Sequence, residues 1–266
     1  MILEVNDLCF SRGNRRILNH INFCAKQGEF LSILGSNGVG KSTLFRCMLN
    51  LLSTYTGQVL IDSIDSRKLS PSETAQKIAY IPQSCSPTFN LSVEDVVMMG
   101  NLNRVGLFSV PGSSEEQRVR WALEKTGISN LSQRCFHHLS GGERQLVIIA
   151  RALVQDAKIL LLDEPTASLD YGNQIRVLNQ MRALADEGYT IIQTTHSPEH
   201  AYMFSDRIIA LSDGSILADG RPEDVLTSEI IGTIYGIEVQ ISSLNNDSVR
   251  ICTPQALPNE PRCRMQ

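Results

Sequence analysis

The sequence lacks the features of a secreted, membrane-spanning or disulfide-stabilised protein. Its N-terminal stretch does not combine basic residues with an apolar run, so we expect no signal peptide. No apolar run approaches the roughly 20 residues that a transmembrane helix needs, so another chain would have to supply any membrane span. The seven cysteines show no C-x-x-C spacing, which argues against a zinc site or a disulfide framework and favours reduced thiols in a cytoplasm.

The sequence also lacks a strong net charge and is low in aromatic residues. A formal charge of −4 leaves no general basic surface, which argues against nucleic acid as a partner. Hydrophobic residues make up 42% of the chain and aromatic residues 6%, as is ordinary for a globular protein with a core. A length of 266 residues suits one α/β domain with an inserted subdomain.

Continuous apolar runs predict strands that are buried on both faces of a parallel sheet. Such runs cover 29–34, 158–162 and 190–194. Residues 207–218 predict a hairpin that turns at Asp213-Gly214. The pattern therefore predicts an α/β core.

The middle and the end of the chain depart from this pattern. From about residue 85 to residue 154 the pattern is mostly helical, with a break at Pro111-Gly112. We interpret this stretch as a helical subdomain inserted in a domain that spans residues 1–240. Residues 241–266 are polar, contain proline and lack clear periodicity, so we expect a partly disordered C-terminal tail.

The strongest local motif is a glycine-rich loop between a predicted strand and a predicted helix. It matches G-x-x-x-x-G-K-[ST] and consists of Gly35, Ser36, Asn37, Gly38, Val39, Gly40, Lys41, Ser42 and Thr43. Backbone N–H groups of such a loop surround a polyphosphate, Lys41 reaches the β- and γ-phosphates, and the Ser42 hydroxyl binds Mg²⁺. The alternative is a glycine-rich turn with a solvated lysine, and the flanking strand and helix favour the nucleotide site.

Two acidic residues end the strand predicted at 158–162. Burying the Asp163 carboxylate at the end of an apolar strand would cost free energy unless a cation or hydrogen bonds compensate its charge, and Mg²⁺ is the obvious cation. Glu164 is placed to polarise an attacking water. The alternative is an acid pair at the start of a helix, before Pro165. The glycine loop, this acid pair and His196 all follow predicted strands, at the edge where open parallel sheets bind ligands.

Three further motifs are weak when each is taken alone. Ser140, Gly141 and Gly142 open a predicted helix, where an ordinary N-cap is the simpler interpretation. Gln83 suits an ordinary loop, and His196 suits a structural histidine at a strand end. They gain weight from their order and spacing relative to the glycine loop and the acid pair.

The order of these motifs resembles that of the ABC ATPases. The motifs are Walker A at 35–43, the Q-loop glutamine Gln83, LSGGERQ at 139–145, Walker B at 159–164, Ser168-Leu169-Asp170 and His196. The resemblance covers roughly residues 1–236, and LSGGERQ is close to diagnostic. It implies a P-loop NTPase core with a mostly parallel sheet, an antiparallel β subdomain near the N-terminus and an inserted α-helical subdomain.

The resemblance also implies the cofactors, ATP and Mg²⁺, and the residues that act on one nucleotide. Lys41 and the rest of Walker A would hold the phosphates, Glu164 would be the general base, and His196 would contact the γ-phosphate. The residues implied at the metal are Ser42, Gln83 and Asp163.

In the ABC ATPases, two subunits pair head-to-tail, and each ATP lies between Walker A of one subunit and LSGGE of the other. Carried onto this chain, Ser140, Gly141 and Gly142 would act in trans on the nucleotide held by a second copy. Asp170 would lie at the dimer interface. A two-fold symmetric dimer satisfies this reciprocal arrangement.

The sequence departs from the family where adenine is usually stacked on an aromatic residue. In Phe10-Ser11-Arg12-Gly13, the aligned position is Arg12. A guanidinium can stack on a purine, so Arg12 is one candidate for the adenine contact, and Phe10 is the other. An exposed arginine in a turn is the third interpretation.

Softer signals at 91–100 and 194–201 resemble the ATPases of metal-chelate importers for iron-siderophores, haem or cobalamin. This resemblance implies transmembrane permease subunits that contact residues 83–100, indirectly a substrate-binding protein, and a cytoplasmic location on the inner face of the cell membrane. An ABC ATPase of iron–sulfur assembly, or of another non-transport role, is the alternative.

Overall fold

The computed structural model describes residues 1–83, 90–103, 112–247 and 249–255 of the chain. The strands are β1 (Leu3–Arg12), β2 (Arg15–Ala25), β3 (Phe30–Leu34), β4 (Thr56–Ile61), β5 (Ile64–Asp65), β6 (Ile78–Ile81), β7 (Ile159–Asp163), β8 (Thr190–Thr195), β9 (Arg207–Ser212), β10 (Ser215–Gly220), β11 (Val239–Leu244) and β12 (Val249–Pro254). The α-helices are α1 (Lys41–Met48), α2 (Pro71–Lys77), α3 (Val93–Met98), α4 (Ser113–Lys125), α5 (Gly141–Val154), α6 (Tyr171–Asp186), α7 (Pro198–Phe204), α8 (Pro222–Val225) and α9 (Ser228–Tyr235). Short 3₁₀ turns cover Ser66–Lys68, Met99–Asn103, Ser129–Leu131 and Phe136–His138.

The central sheet has six strands in the described part of the chain, in the order β10-β9-β3-β8-β7-β6. All neighbours are parallel except the β9–β10 hairpin at the edge. Every residue of β3, β7 and β8 is buried, as the continuous apolar runs predict. Side chains of β7 alternate between two cores: Leu161 packs on the side of α1, and Leu160 and Leu162 pack on the side of α5 and α6. The predicted α/β class with a mostly parallel sheet is confirmed.

The N-terminal strands form a second, antiparallel sheet in the order β2-β1-β4-β5. Its buried residues, such as Leu8 and Ile61, share one core with Phe45 and Met48 of α1. Helix α1 therefore lies between the two sheets. This arrangement fixes the end of β1 close to the beginning of α1.

Helices α3, α4 and α5 pack around Phe136 and form the helical subdomain between β6 and β7. Its attachment to the core includes Gln155, whose side-chain amide donates to the backbone carbonyls of Ala75 and Ile78. The subdomain start predicted at residue 85 lies outside the described residues. The predicted domain limits therefore stay predictions.

The C-terminal elements pack on the far side of β9. Residues of α8, α9 and β11, among them Val225, Ile231 and Val239, share a core with Leu34 and Ile208. The tail predicted to begin at residue 241 begins within β11, which pairs antiparallel with β12 from Val239 opposite Pro254 to Leu244 opposite Val249. The polar side chains of this hairpin gave no periodic signal, because few of its residues are buried.

No helix in the described ranges is both long enough and apolar enough to cross a lipid bilayer.

We predict that Phe136→Ala lowers the free energy of unfolding by about 3–5 kcal/mol, because the ring is 1% exposed and its loss leaves a cavity in the helical subdomain. Chemical denaturation followed by circular dichroism measures this change. Tyr171→Ala is the control, since Tyr171 is 71% exposed and its replacement is expected to shift stability by about 0.5 kcal/mol at most. Equal effects of the two substitutions would contradict the packing described.

Candidate functional site

Three predicted site segments meet at one edge of the central sheet because of the strand register. Leu34 at the end of β3 lies opposite Thr195 at the end of β8, and Thr194 lies opposite Asp163 at the end of β7. The glycine loop, the acid pair and His196 follow these three strand ends. The parallel register thus brings together residues that are up to 161 positions apart, as in the pair of Leu34 and Thr195.

Lys41 is the first residue of α1, and its ammonium group is almost fully buried, at 5% exposure. It donates to the carbonyl oxygens of Gly35 and Ser36 at 2.7 and 3.1 Å. It also lies 3.1 Å from Oε1 of Glu164, which is 12% exposed. Such a buried cation needs several acceptors, and the loop and the carboxylate supply them.

Glu164 is the point where the site residues converge. Its Oε2 accepts from the side-chain amide of Gln83 at 3.3 Å and lies 3.2 Å from Nδ1 of His196. Its backbone has φ +48°, a left-handed conformation that is costly for a non-glycine residue. The Glu164 N–H donates to Oγ1 of Thr194 at 2.9 Å, which helps to hold this conformation. The strained turn directs the carboxylate toward Lys41 and His196.

Asp163 is 5% exposed and keeps both carboxylate oxygens in hydrogen bonds. Oδ1 accepts from the Thr194 hydroxyl at 2.7 Å, and Oδ2 accepts from the Tyr80 hydroxyl at 3.3 Å. Burial, together with the neighbouring carboxylate, raises the pKa of Tyr80 to about 12, so the phenol keeps its proton and donates. The sequence analysis did not identify Tyr80 or Thr194, because only the strand register brings them to Asp163.

A cavity of about 570 Å³ lies in front of the glycine loop and is large enough for a small ligand. Its lining includes Lys41, Ser42 and Thr43 from the first turn of α1, and Glu164. Gly40 precedes this turn and has no side chain to cap the helix, so N–H groups of the first turn are available to an anion.

Gly40 cannot be replaced without strain. Its φ is +116°, and a Cβ there would lie 2.9 Å from Leu18 and 3.1 Å from the Ile17 carbonyl. Gly38 lines the same cavity, whereas Ser36, Asn37 and Val39 line a neighbouring cleft. Gly35 stands at the end of β3, where its carbonyl accepts from Lys41. The loop therefore faces two spaces, because Gly38 and residues 40–43 line the cavity and residues 36–39 line the cleft.

Arg12 and Phe10 both line the cavity from β1. Phe10 is 7% exposed and belongs to the core around α1, whereas Arg12 is exposed. Of the two, Arg12 has the side chain that is free to move toward a ligand.

Ser140, Gly141, Gly142 and Asp170 form a second group, away from Glu164. Ser140 caps α5 and is exposed; its hydroxyl accepts from the Glu143 N–H at 3.3 Å, and its own N–H donates to the Glu143 carboxylate at 2.8 Å. In the described part of the chain, no hydrogen bond or ion pair joins this group to Lys41 or Glu164.

Asn173 connects the two halves of the second group, and the sequence analysis missed it. The Asp170 carboxylate accepts from the backbone N–H and the side-chain amide of Asn173, at 2.9 and 2.7 Å. The backbone N–H bond holds the pKa of Asp170 below its ordinary value. A Cβ on Gly142 would lie 2.4 Å from the Asn173 side chain, so only glycine permits this approach. The spacing of 31 positions between Gly142 and Asn173 carries no local signal.

Comparison with protein families matches residues 18–167 to the ABC transporter family. The iron(3+)-hydroxamate import ATP-binding protein of Bacillus subtilis is 31% identical over 97% of each chain. The hemin import ATP-binding protein of Bordetella pertussis is 36% identical over 91% of this chain and 94% of that protein.

Solved structures agree with these sequence relatives. A metal-chelate type ABC transporter in an inward-facing conformation gives a TM-score of 0.84 at 30% identity, over 96% of this chain and 98% of that chain. A dimeric ATP-binding cassette in a post-hydrolysis state, bound to ADP and Pi, gives a TM-score of 0.70 at 28% identity, over 83% of this chain and 98% of that chain.

We predict that Lys41→Ala weakens ATP binding by at least roughly a hundredfold. The reason is that the buried Lys41 ammonium supplies the positive charge of the loop and would form charge-assisted hydrogen bonds with the phosphates. Titration with a fluorescent ATP analogue measures the affinity. Lys77→Ala is the matched control, since Lys77 pairs with Asp62 instead. Unchanged affinity of Lys41→Ala would exclude the loop as the phosphate site.

Proposed function

Because this chain belongs to the ABC transporter family as one of its ATP-binding proteins, we propose that it powers a metal-chelate importer through an ATP-bound dimer. ATP binding and ATP hydrolysis are the activity of the family, and this chain is such an ATPase. The convergence of Lys41, His196 and Gln83 on the Glu164 carboxylate is the observation that carries the proposed division of roles.

The phosphates of ATP would bind across the glycine loop and the start of α1. Lys41 supplies the charge, and the uncapped N–H groups of α1 supply donors that point along the helix axis. Ser42 and Thr43 line the same cavity. Arg12 would stack its guanidinium on the base at the other end of the cavity, since Phe10 is held in the core.

Mg²⁺ fits the oxygen donors beside the loop. The Asp163 carboxylate is buried and oriented by Tyr80 and Thr194, and a hard cation prefers such oxygens. Ser42 and Gln83 would add a hydroxyl and an amide oxygen. The ion would neutralise negative charge on the phosphates.

Glu164 would act as the general base in hydrolysis. Its carboxylate accepts a proton from water as the water oxygen bonds to the γ-phosphorus and the bond to ADP breaks. His196, next to Glu164 Oε2, would donate to the γ-phosphate, and Gln83 would contact the same water and metal region.

The ion pair between Lys41 and Glu164 links binding to hydrolysis. A polyphosphate competes with Glu164 for the Lys41 ammonium, because it offers more negative charge to the same donor. Once Lys41 binds phosphate, the Glu164 carboxylate is free to accept a proton. Binding of the substrate thereby prepares the base.

A second copy of the chain would complete each site. Ser140 and Gly141 are exposed at the start of α5, so a phosphate held by a partner can reach the N–H groups of that helix. Asp170 is exposed nearby and is joined to this turn through Asn173. The dimeric relative bound to ADP and Pi supports a two-fold dimer for this chain.

The relatives that import hydroxamate-bound iron and hemin support a metal chelate as the cargo. We infer transmembrane permease subunits, a substrate-binding protein that delivers the chelate, and a position on the inner face of the cell membrane. Met99 and Leu102 are exposed beside α3, at 39% and 65%, and would supply apolar contacts to a permease helix.

We predict that Glu164→Gln lowers kcat roughly 10²–10⁴-fold, because the amide cannot accept the proton of the attacking water. The variant should also accumulate an ATP-bound dimer in size-exclusion chromatography with ATP and Mg²⁺. Glu187→Gln is the control, since Glu187 pairs with Lys125 on the surface. A monomeric Glu164→Gln variant with full turnover would overturn the general-base assignment.

We predict that cells carrying only Glu164→Gln lose uptake of a radiolabelled iron chelate or hemin, while uptake of an amino acid is unchanged. The chain tagged in its native cell should be recovered from membranes with a polytopic permease. Normal uptake of every metal chelate tested, with the chain recovered free of any permease, would refute the importer and leave the ATPase activity intact.

A further inference from the structure

The backbone of His196 has a side-chain partner from the C-terminal end of the domain. The Tyr235 hydroxyl donates to the His196 carbonyl oxygen at 2.8 Å, across 39 positions of sequence. His196 stands in the short link between β8 and α7, and Tyr235 is the last residue of α9. The sequence analysis did not single out Tyr235.

Tyr235 is held on a rigid element. Ile231 and Ile234 of α9 are buried against β9, at 1% and 6% exposure. Gly236, with φ +68°, ends the helix directly after Tyr235. Burial raises the pKa of the Tyr235 phenol, so the hydroxyl keeps its proton and remains a donor.

The imidazole of His196 is held by fewer contacts than the backbone on either side of it. The side chain is 47% exposed, and its described polar contact is the one to Glu164 Oε2 at 3.2 Å. On the other side of the link, the Ser197 N–H donates to Oγ1 of Thr195, and Ser197 caps α7. The direction of the imidazole therefore depends on how the His196 peptide is fixed between these flanking contacts.

We propose that Tyr235 is a positioning residue that fixes the His196 peptide, so that the imidazole stays directed toward Glu164 and the γ-phosphate. This inference rests on the role proposed for His196. It gives the C-terminal elements a part in positioning a site residue, although none of their described residues lines the cavity of about 570 Å³. Loss of the bond leaves the His196 carbonyl without its protein donor and allows the link to rotate.

The chain offers a matched control in a second tyrosine. The Tyr202 hydroxyl on α7 donates to the Asp247 carbonyl, also at 2.8 Å, and so fastens the β11–β12 hairpin to α7. Tyr202→Phe removes a hydrogen bond of the same type and length from the same part of the domain. It leaves the bond to His196 in place.

The test compares Tyr235→Phe, Tyr202→Phe, His196→Ala and the double variant Tyr235→Phe/His196→Ala in the full chain with ATP and Mg²⁺. We expect Tyr235→Phe to lower kcat roughly threefold to tenfold, the range of one hydrogen bond, with KM for ATP nearly unchanged. Tyr202→Phe should keep the wild-type kcat. In the His196→Ala background, Tyr235→Phe should cause no further loss.

A spectroscopic readout separates positioning from general stability. In NMR spectra of the histidine rings, Tyr235→Phe should shift the His196 signals, and Tyr202→Phe should leave them unchanged. Thermal melting should show similar, small losses of stability for both.

The proposal is overturned if Tyr235→Phe keeps the wild-type kcat, if Tyr202→Phe lowers kcat equally, or if Tyr235→Phe causes the same loss with and without His196. A His196→Ala variant with full kcat would refute the proposed role of His196 itself, and the positioning role with it. If His196→Ala lowers kcat but Tyr235→Phe does not, the role of His196 stands and only the positioning role of Tyr235 is refuted.

Discussion

The parallel register of β3, β8 and β7 is the constraint on which the site depends. Leu34 lies opposite Thr195, and Thr194 lies opposite Asp163, so three strand ends meet within one hydrogen-bonded layer. Because successive side chains of a strand face opposite cores, a shift by one residue would move every side chain to the other face and would break pairs such as the buried hydrogen bond from Gln193 to Ser32. The apolar packing that stabilises the sheet thereby fixes the distances between Lys41, Glu164 and His196.

The backbone conformation of Glu164 determines which groups surround its carboxylate. A left-handed backbone directs its carboxylate out of the strand, where an ammonium, an imidazole and an amide lie within 3.3 Å. Under the proposed function, a phosphate would compete with the Glu164 carboxylate for the Lys41 ammonium, because the cation cannot pair equally with both. The same geometry would then serve both ATP binding and hydrolysis.

The glycine-rich turns before α1 and α5 differ in helix capping and in exposure, although both are rich in glycine and both precede a helix. Gly40 leaves the start of α1 uncapped beside a buried lysine, so under the proposed function this turn would hold the phosphates of the chain's own nucleotide. The turn at Ser140 is exposed and is capped by the Ser140 hydroxyl, which accepts from the Glu143 N–H. Gly142 in this turn lies against Asn173, which donates to Asp170. Under the proposed dimer, the second turn serves the nucleotide of a partner, and closure of two copies couples ATP to a permease.

The sequence by itself determined the α/β class, the buried strands, the hairpin at Asp213-Gly214 and the glycine-rich loop between β3 and α1, because these depend on apolar periodicity and on local turn chemistry. It could not determine that Tyr80 and Thr194 orient Asp163. It also could not determine that Asn173 lies between Gly142 and Asp170. The hydrogen bond from Tyr235 to His196 was equally beyond it. Those contacts connect residues 3 to 83 positions apart through strand register and helix packing. The hairpin of β11 and β12 could not be predicted from the sequence either. Its side chains are largely solvated, and its two strands are held by backbone hydrogen bonds to each other. Only the tertiary structure decides such contacts, because the energy that selects them belongs to pairs of segments and not to either segment alone.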